Sequence, residues 1–67
     1  MQVGKLALDD VNKAIELDPN IAEAYETRGA TKAMMGNQGG ALLDFNRAIE
    51  IDENFESAYT NRGAVKS

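Results

Sequence analysis

The sequence predicts an all-α fold built from antiparallel helix-turn-helix units stacked side by side. Three observations carry this reading. First, the chain repeats itself at a spacing of 34 residues: Ala14-Ile15-Glu16-Leu17-Asp18 returns as Ala48-Ile49-Glu50-Ile51-Asp52, Ala24-Tyr25 as Ala58-Tyr59, and Arg28-Gly29-Ala30 as Arg62-Gly63-Ala64. Of the 33 residue pairs at that separation, 16 are identical, where unrelated residues would match in roughly one pair in fifteen. Second, apolar residues recur at helical spacings. Third, no segment alternates as a strand would. A period of this length marks stacked supersecondary units, so function is to be sought on a face of the stack.

Each element follows from local chemistry. Leu8, Val11, Ala14 and Ile15 form one helix face and predict a helix from about Lys5 to Leu17. Asp18-Pro19-Asn20 ends it, because proline disfavours helical geometry in the residue before it and Asp and Asn suit turns. A second helix is predicted from about Ile21 to Met35, with Glu23 and Glu26 near its N-terminal end, where the dipole favours negative charge. Gly36-Asn37 stops it, since Gly adopts the left-handed conformation that closes a helix. The third helix is expected from about Gly39 to Ile51, with Leu42, Phe45, Ala48 and Ile49 on its face. Gly39-Gly40 is expected to weaken its start, each Gly costing about 1 kcal/mol against Ala inside a helix. Asp52-Glu53-Asn54 forms the next turn, and a fourth helix begins near Glu56. Loops this short make neighbouring helices antiparallel. Small residues at Ala24, Gly29, Ala30, Ala58, Gly63 and Ala64, and at Ala7, Ala14, Ala41 and Ala48, face large ones at Val11, Tyr25, Phe45 and Tyr59, the alternation that close helix packing requires.

Composition removes several function classes. A 67-residue chain supports one small domain. It has no cysteine and no histidine, hence no disulfide, no thiolate metal site and neither the commonest general base nor the commonest zinc ligand. Lack of cysteine fits a reducing compartment such as the cytoplasm. A net charge of −4, from 11 acidic and 7 basic residues, argues against nucleic acid, whose binding rests on clustered Lys and Arg. No apolar run approaches the ~20 residues needed to span a bilayer, and the N-terminus lacks the pattern of a signal peptide.

With these residues in view, the chain resembles the tetratricopeptide repeat, a family that packs one helix pair per repeat unit. With Ala22 as the first position of a unit, Tyr25 falls at the family's large aromatic, Gly29 at its small residue and Gly36 at the turn between the two helices. Ala41, Phe45 and Ala48 take the second helix's small, aromatic and small positions. The resemblance covers essentially the whole chain and implies a right-handed superhelix, an α-α solenoid. There are departures. Glu53 stands where the family's proline is expected, although Pro19 keeps it one unit earlier; Lys32 and Lys66 hold a place that is often aromatic; and Arg28 and Arg62 stand where leucine is typical. An Asn-Arg-Gly run such as Asn61-Arg62-Gly63 is nonetheless familiar in the family.

In this register residues 1–21 supply the second helix of a unit, residues 22–55 a complete unit, and residues 56–67 the first helix of a third. Repeat stacks use polar caps and roughly three units, so the chain reads as an excerpt of a longer array, natural or engineered. Ser67 stops at the twelfth place of its unit and Met1 starts at the fourteenth. Copies are therefore expected to form homo-oligomers through their ends, by head-to-tail stacking or by helix exchange.

Several residues have chemical potential, and each also has a plainer role. Asp9 and Asp10 are adjacent and diverge by about 100° on a helix, so they read as a solvated face. The glycine-rich segment 36–40 lacks the Lys-Ser/Thr and preceding strand of a phosphate cradle and reads as an interhelical turn. Arg28 with Lys32, and Arg62 with Lys66, either hold a carboxylate or phosphate ligand or pair with acids on neighbouring helices such as Glu16, Asp44 or Glu50; the second reading is preferred. Met34-Met35 is either gap-filling core or a soft contact surface, and core is preferred. Tyr25 and Tyr59 read as interhelical packing. No Ser, Thr or Lys has a base beside it, so no enzyme, cofactor or metal site is expected.

The resemblance implies a concave face lined mostly by the first helices of the units. Here those positions are Glu23, Glu26, Thr27, Ala30, Ala33 and Met34 on the second helix and Ser57, Thr60, Asn61 and Ala64 on the fourth. Some relatives bind a peptide's C-terminal carboxylate with a clamp of Lys, Asn and Arg; only Asn61 stands at a clamp-type place, so no clamp is expected. A neutral-to-acidic groove with small side chains and methionine suits a basic or apolar peptide or helix better than an acidic tail. Two readings stand: a peptide- or protein-binding scaffold, and a structural repeat unit whose partner is itself.

Overall fold

A computed structural model of the chain describes residues 3–66, with side chains over residues 8–65. It holds four helices: α1 Val3–Leu17, α2 Ala22–Met34, α3 Gln38–Ile51 and α4 Glu56–Lys66. Among the described residues there is no strand, and the predicted all-α class holds. Helix bounds differ from the sequence expectation by only one or two residues, the ordinary range for helix ends. The side chains of Ala7 and Lys66, and Met1 and Ser67 altogether, lie outside the described residues.

The turns are built from the residues that announced them. The Asn20 N–H donates to Asp18 Oδ1 at 3.1 Å, and 34 residues later the Asn54 N–H donates to Asp52 Oδ1 at 3.0 Å. Gly36 takes φ +86° at the end of α2, which lets its own N–H reach Ala33 O at 3.1 Å and the Asn37 N–H reach Lys32 O at 2.8 Å. The start of α3 corrects the sequence expectation. Asn37 caps it, its Oδ1 accepting the Gly40 N–H at 3.0 Å. A Cβ on Gly40 would lie 2.6 Å from Asn37 Nδ2. Glycine at this position makes room for a cap worth about 1 kcal/mol, which offsets the propensity cost that made it look like a weakness.

Helix α2 is the centre of the molecule: it touches α1, α3 and α4, whereas α1 touches α2 alone among the described residues. Contacts along α2 and α3 run in opposite directions, with Tyr25 near Arg47 and Lys32 near Asp44, so the pair is antiparallel. The core holds Phe45, 1% exposed, with Ala41, Ala48 and Ala58 fully buried and Val11, Ala24 and Tyr25 close behind. Small meets large as expected: a Cβ on Gly29 would sit 2.7 Å from Phe45 Cε1 and 3.1 Å from the Ala41 carbonyl oxygen. The Tyr25 hydroxyl donates to Pro19 O at 3.0 Å, tying α2 back to the turn before it.

Two packing expectations fail. Tyr59 is 43% exposed where Tyr25 is 7% exposed; among the described residues α4 packs on α3 and α2, and no further helix lies on its outer side as α3 lies on α2. Met34 and Met35 are 83% and 54% exposed, so they are surface, not core, at the end of α2.

The sequence repeat is also a repeat of contacts. Arg28 Nη1 donates to Asn12 Oδ1 at 2.9 Å, and Arg62 Nη1 donates to Asn46 Oδ1 at 2.9 Å. Arg28 lies 5.5 Å from the Tyr25 ring centre and Arg62 lies 5.3 Å from that of Tyr59. The N–H groups of Asp18 and Asp52 close α1 and α3 on Ala14 O and Ala48 O at 3.0 and 2.9 Å. The α1–α2 pair and the α3–α4 pair are thus built alike.

Candidate binding groove

The two helices that carry the predicted binding residues lie alongside each other in the same direction. Asn61 on α4 faces Glu26 on α2, its Nδ2 donating to Glu26 Oε2 at 2.6 Å. The carboxylate makes this a charge-assisted bond, stronger than one between neutral groups. It links the two helices, both of which pack on α3, and C-terminal to it the small residues leave a gap. That gap is a shallow cavity of about 230 Å³ lined by Ala30, Ala33 and Met34 of α2, Phe45 of α3, and Asn61, Ala64 and Val65 of α4. Apart from Asn61 the lining is apolar. Alanines make the depth; a larger residue at any of them would fill it.

Of the residues singled out from the sequence, Ala30, Ala33, Met34, Asn61 and Ala64 come together in this cavity, and Glu26 joins them through its bond to Asn61. Glu23 lies one helical turn before Glu26 on α2 and is exposed. Thr27, Ser57 and Thr60 are exposed on α2 and α4 outside the cavity lining. Sequence reasoning missed Val65 and Phe45 as lining residues. Val65 follows Ala64 directly, and that apolar pair was the available signal. Phe45 was assigned to the core alone; it floors the cavity as well because the residues above it are alanines.

The basic pair on α2 serves the fold. Arg28 Nε and Nη2 donate to Asp44 Oδ2 and Oδ1 at 2.9 and 2.7 Å, and Lys32 Nζ lies 3.2 Å from Asp44 Oδ2. Asp44 is 4% exposed, so it is a buried carboxylate satisfied by two cations. Its hydrogen bond holds the Arg28 guanidinium charged, pushing that group's pKa above the ordinary arginine range against the opposing effect of partial burial. A cation with a raised value gives its full stabilisation below the ordinary range and loses it only as pH rises through the raised one. The Arg28 side of this pair is therefore constant at every working pH. Arg28 and Arg47 both lie over the Tyr25 ring, at 5.5 and 5.8 Å, which adds attraction between cation and ring. Thr31 is buried, and its Oγ1 donates to Thr27 O at 3.0 Å.

With Arg28 and Lys32 committed to Asp44, the polar groups nearest the cavity are the amide of Asn61 and the Glu26 carboxylate bonded to it, with the exposed Glu23 one turn further along α2. This arrangement can take an apolar side chain and a neighbouring cation. Among the described residues no three acidic side chains gather as a metal site, and no helix is long and apolar enough to cross a membrane. No family model matches the chain, and no curated protein matches it.

Proposed function

We propose that the chain is a non-enzymatic, tetratricopeptide-like interaction module that binds a peptide or partner helix on its α2–α4 face. The observation that carries this reading is the cavity between α2 and α4, five of whose seven lining residues (Ala30, Ala33, Met34, Asn61 and Ala64) are ones that the repeat register assigns to a concave surface. An apolar ligand side chain occupies the alanine-lined space against Phe45, Met34 adapts to its shape, and a Lys or Arg beside it meets Glu23 and Glu26. The four-helix, all-α arrangement, in which the contacts of α1 with α2 recur between α3 and α4, supports the reading; stacked as a right-handed superhelix, such units would line successive first helices along one face. An acidic ligand is disfavoured by the same carboxylates.

Titration of isotope-labelled protein with a short peptide carrying Leu or Met flanked by Lys tests this. Amide shifts are expected at Ala30, Met34, Ala64 and Val65, with micromolar saturation and weaker binding at higher salt. Ala64→Phe, which fills the cavity, should weaken binding at least about tenfold, and so should Glu23→Lys combined with Glu26→Lys. Shifts confined to other faces, or equal binding of a Glu-flanked peptide, would overturn the proposal.

A further inference from the structure

Four residues on the two outer helices lack the covering that their repeat partners have. On α1, Asp10 is exposed where Asp44 is 4% exposed, and Leu17 is 76% exposed where Ile51 packs against the core cluster that contains Tyr25. On α4, Tyr59 is 43% exposed where Tyr25 is 7% exposed. Arg62 keeps the asparagine bond through Nη1, but its Nε and Nη2, the atoms that in Arg28 hold Asp44, meet no carboxylate among the described residues. The covered members lie on α2 and α3. The uncovered members are split, two on α1 and two on α4.

These halves match. Helix α4 repeats α2 in Ala24/Ala58, Tyr25/Tyr59, Arg28/Arg62, Gly29/Gly63 and Ala30/Ala64, and α1 repeats α3 in Leu8/Leu42, Asp10/Asp44, Asn12/Asn46, Ala14/Ala48 and Ile15/Ile49. The way α3 seats on α2 is therefore a template, inside the same molecule, for how α1 of one copy seats on α4 of another. The charges complement as well: an Arg lacking a carboxylate on one surface and an exposed carboxylate on the other. We infer that the occupant of the outer α4 face is α1 of a second copy of this chain, with Asp10 of the incoming copy bonding Arg62 as Asp44 bonds Arg28 and with Leu17 lying against Tyr59. Because the two surfaces differ, every added copy leaves one of each open, and the contact propagates head to tail. This surface lies apart from the α2–α4 cavity, so the inference stands independently of peptide binding.

Sedimentation velocity and light scattering across a concentration series test it. The mass should rise with concentration through successive multiples of 7.2 kDa without stopping at two copies. Arg62→Asp and Asp10→Arg should each lower the association constant about tenfold or more, since each sets like charges against each other. The chain carrying both substitutions should recover association to within about threefold of the original, because every contact then has its charges exchanged. Circular dichroism on each variant, expected to be unchanged, separates lost assembly from lost folding. A mass fixed at one or two copies, single reversals that leave association intact, or a double variant no better than the singles would each overturn the inference.

Discussion

Helices α2 and α4 carry the same Tyr, Arg and Gly at the same spacing, yet they live in different surroundings. Around α2, Arg28 is locked to a buried carboxylate, Tyr25 is buried between two guanidinium groups, and Gly29 has Phe45 against it. Around α4, Arg62 bonds an asparagine, Tyr59 is partly exposed, and a Cβ on Gly63 would meet nothing within 4 Å. The difference is α3. A helix pair like α1–α2 supplies the Asn–Arg bond and the Arg–Tyr contact by itself. The buried ion pair and the glycine–phenylalanine contact arise only when the next helix closes over the pair. Local sequence thus sets which contacts can form, and the neighbouring helix decides which of them are worth energy. The same substitution made at both helices should reveal this directly.

The largest contrast should come from the carboxylates. Asp44→Ala leaves Arg28 and Lys32 partly buried without their shared acceptor. Breaking a fully buried pair costs about 3–5 kcal/mol; with Arg28 and Lys32 retaining 21% and 25% side-chain exposure, about 2–3 kcal/mol is expected. Asp10→Ala, at an exposed site, should stay within about 0.5 kcal/mol when measured at a concentration low enough to keep the chain monomeric. Urea unfolding of the two variants checks this, and equal losses would remove the claim that α3 creates the value of the pair.

The glycines should differ in sign. At Gly29 a methyl group meets the Phe45 ring at 2.7 Å and the Ala41 carbonyl oxygen at 3.1 Å; the ring would have to turn toward the cavity it floors, and the backbone oxygen moves only with α3. Overpacking of about 1–3 kcal/mol exceeds the helix-propensity gain of about 1 kcal/mol, so Gly29→Ala should lower stability. At Gly63 the space is open, and Gly63→Ala should raise stability by up to about 1 kcal/mol, less to the extent that the helix end frays. Melting curves that move the same way for both would contradict the contrast.

The same comparison explains what could be read from the chain alone. Helix limits and the left-handed turn at Gly36 are legible in the chain, because they depend on residues within one repeat; so is the pairing of Arg28 and Lys32 with an acid of a neighbouring helix, although Asp44 stands there beside Glu16 and Glu50 as one of three candidates. The exposure of Tyr59 is not: its local sequence is that of Tyr25, and burial is set by which helix packs against each ring. Met34 and Met35 were misread as core because periodicity shows which residues share a face, while burial depends on whether another element reaches that face. The Asn37 cap was hidden for a different reason. Propensity registers Gly40 as a cost and does not see that the missing Cβ is what admits the cap. In the groove, Ala30, Met34 and Asn61 were found from register, whereas Phe45 was overlooked because a residue can be core on one side and cavity floor on the other.

The smallest contrast isolates a single hydrogen bond. Tyr25 donates to Pro19 O at 3.0 Å, while the corresponding bond from Tyr59 to the Glu53 carbonyl is not formed. Tyr→Phe removes only the hydroxyl and leaves ring packing and the stacked arginine in place. Because Tyr25 is buried, its loss leaves a carbonyl without its tyrosine donor, and about 0.5–1.5 kcal/mol is expected for Tyr25→Phe. For Tyr59→Phe the change should be near zero, since water replaces whatever the exposed hydroxyl loses. Hydrogen exchange sharpens the test. Weakening the Tyr25 bond frees the turn before α2, so amides of residues 20–24 should exchange faster in that variant, and residues 54–58 should be unaffected in its counterpart. A Tyr25→Phe loss as close to zero as that of Tyr59→Phe would mean that the α1–α2 turn gains nothing from the hydroxyl, and that packing of the ring alone holds α2 against it.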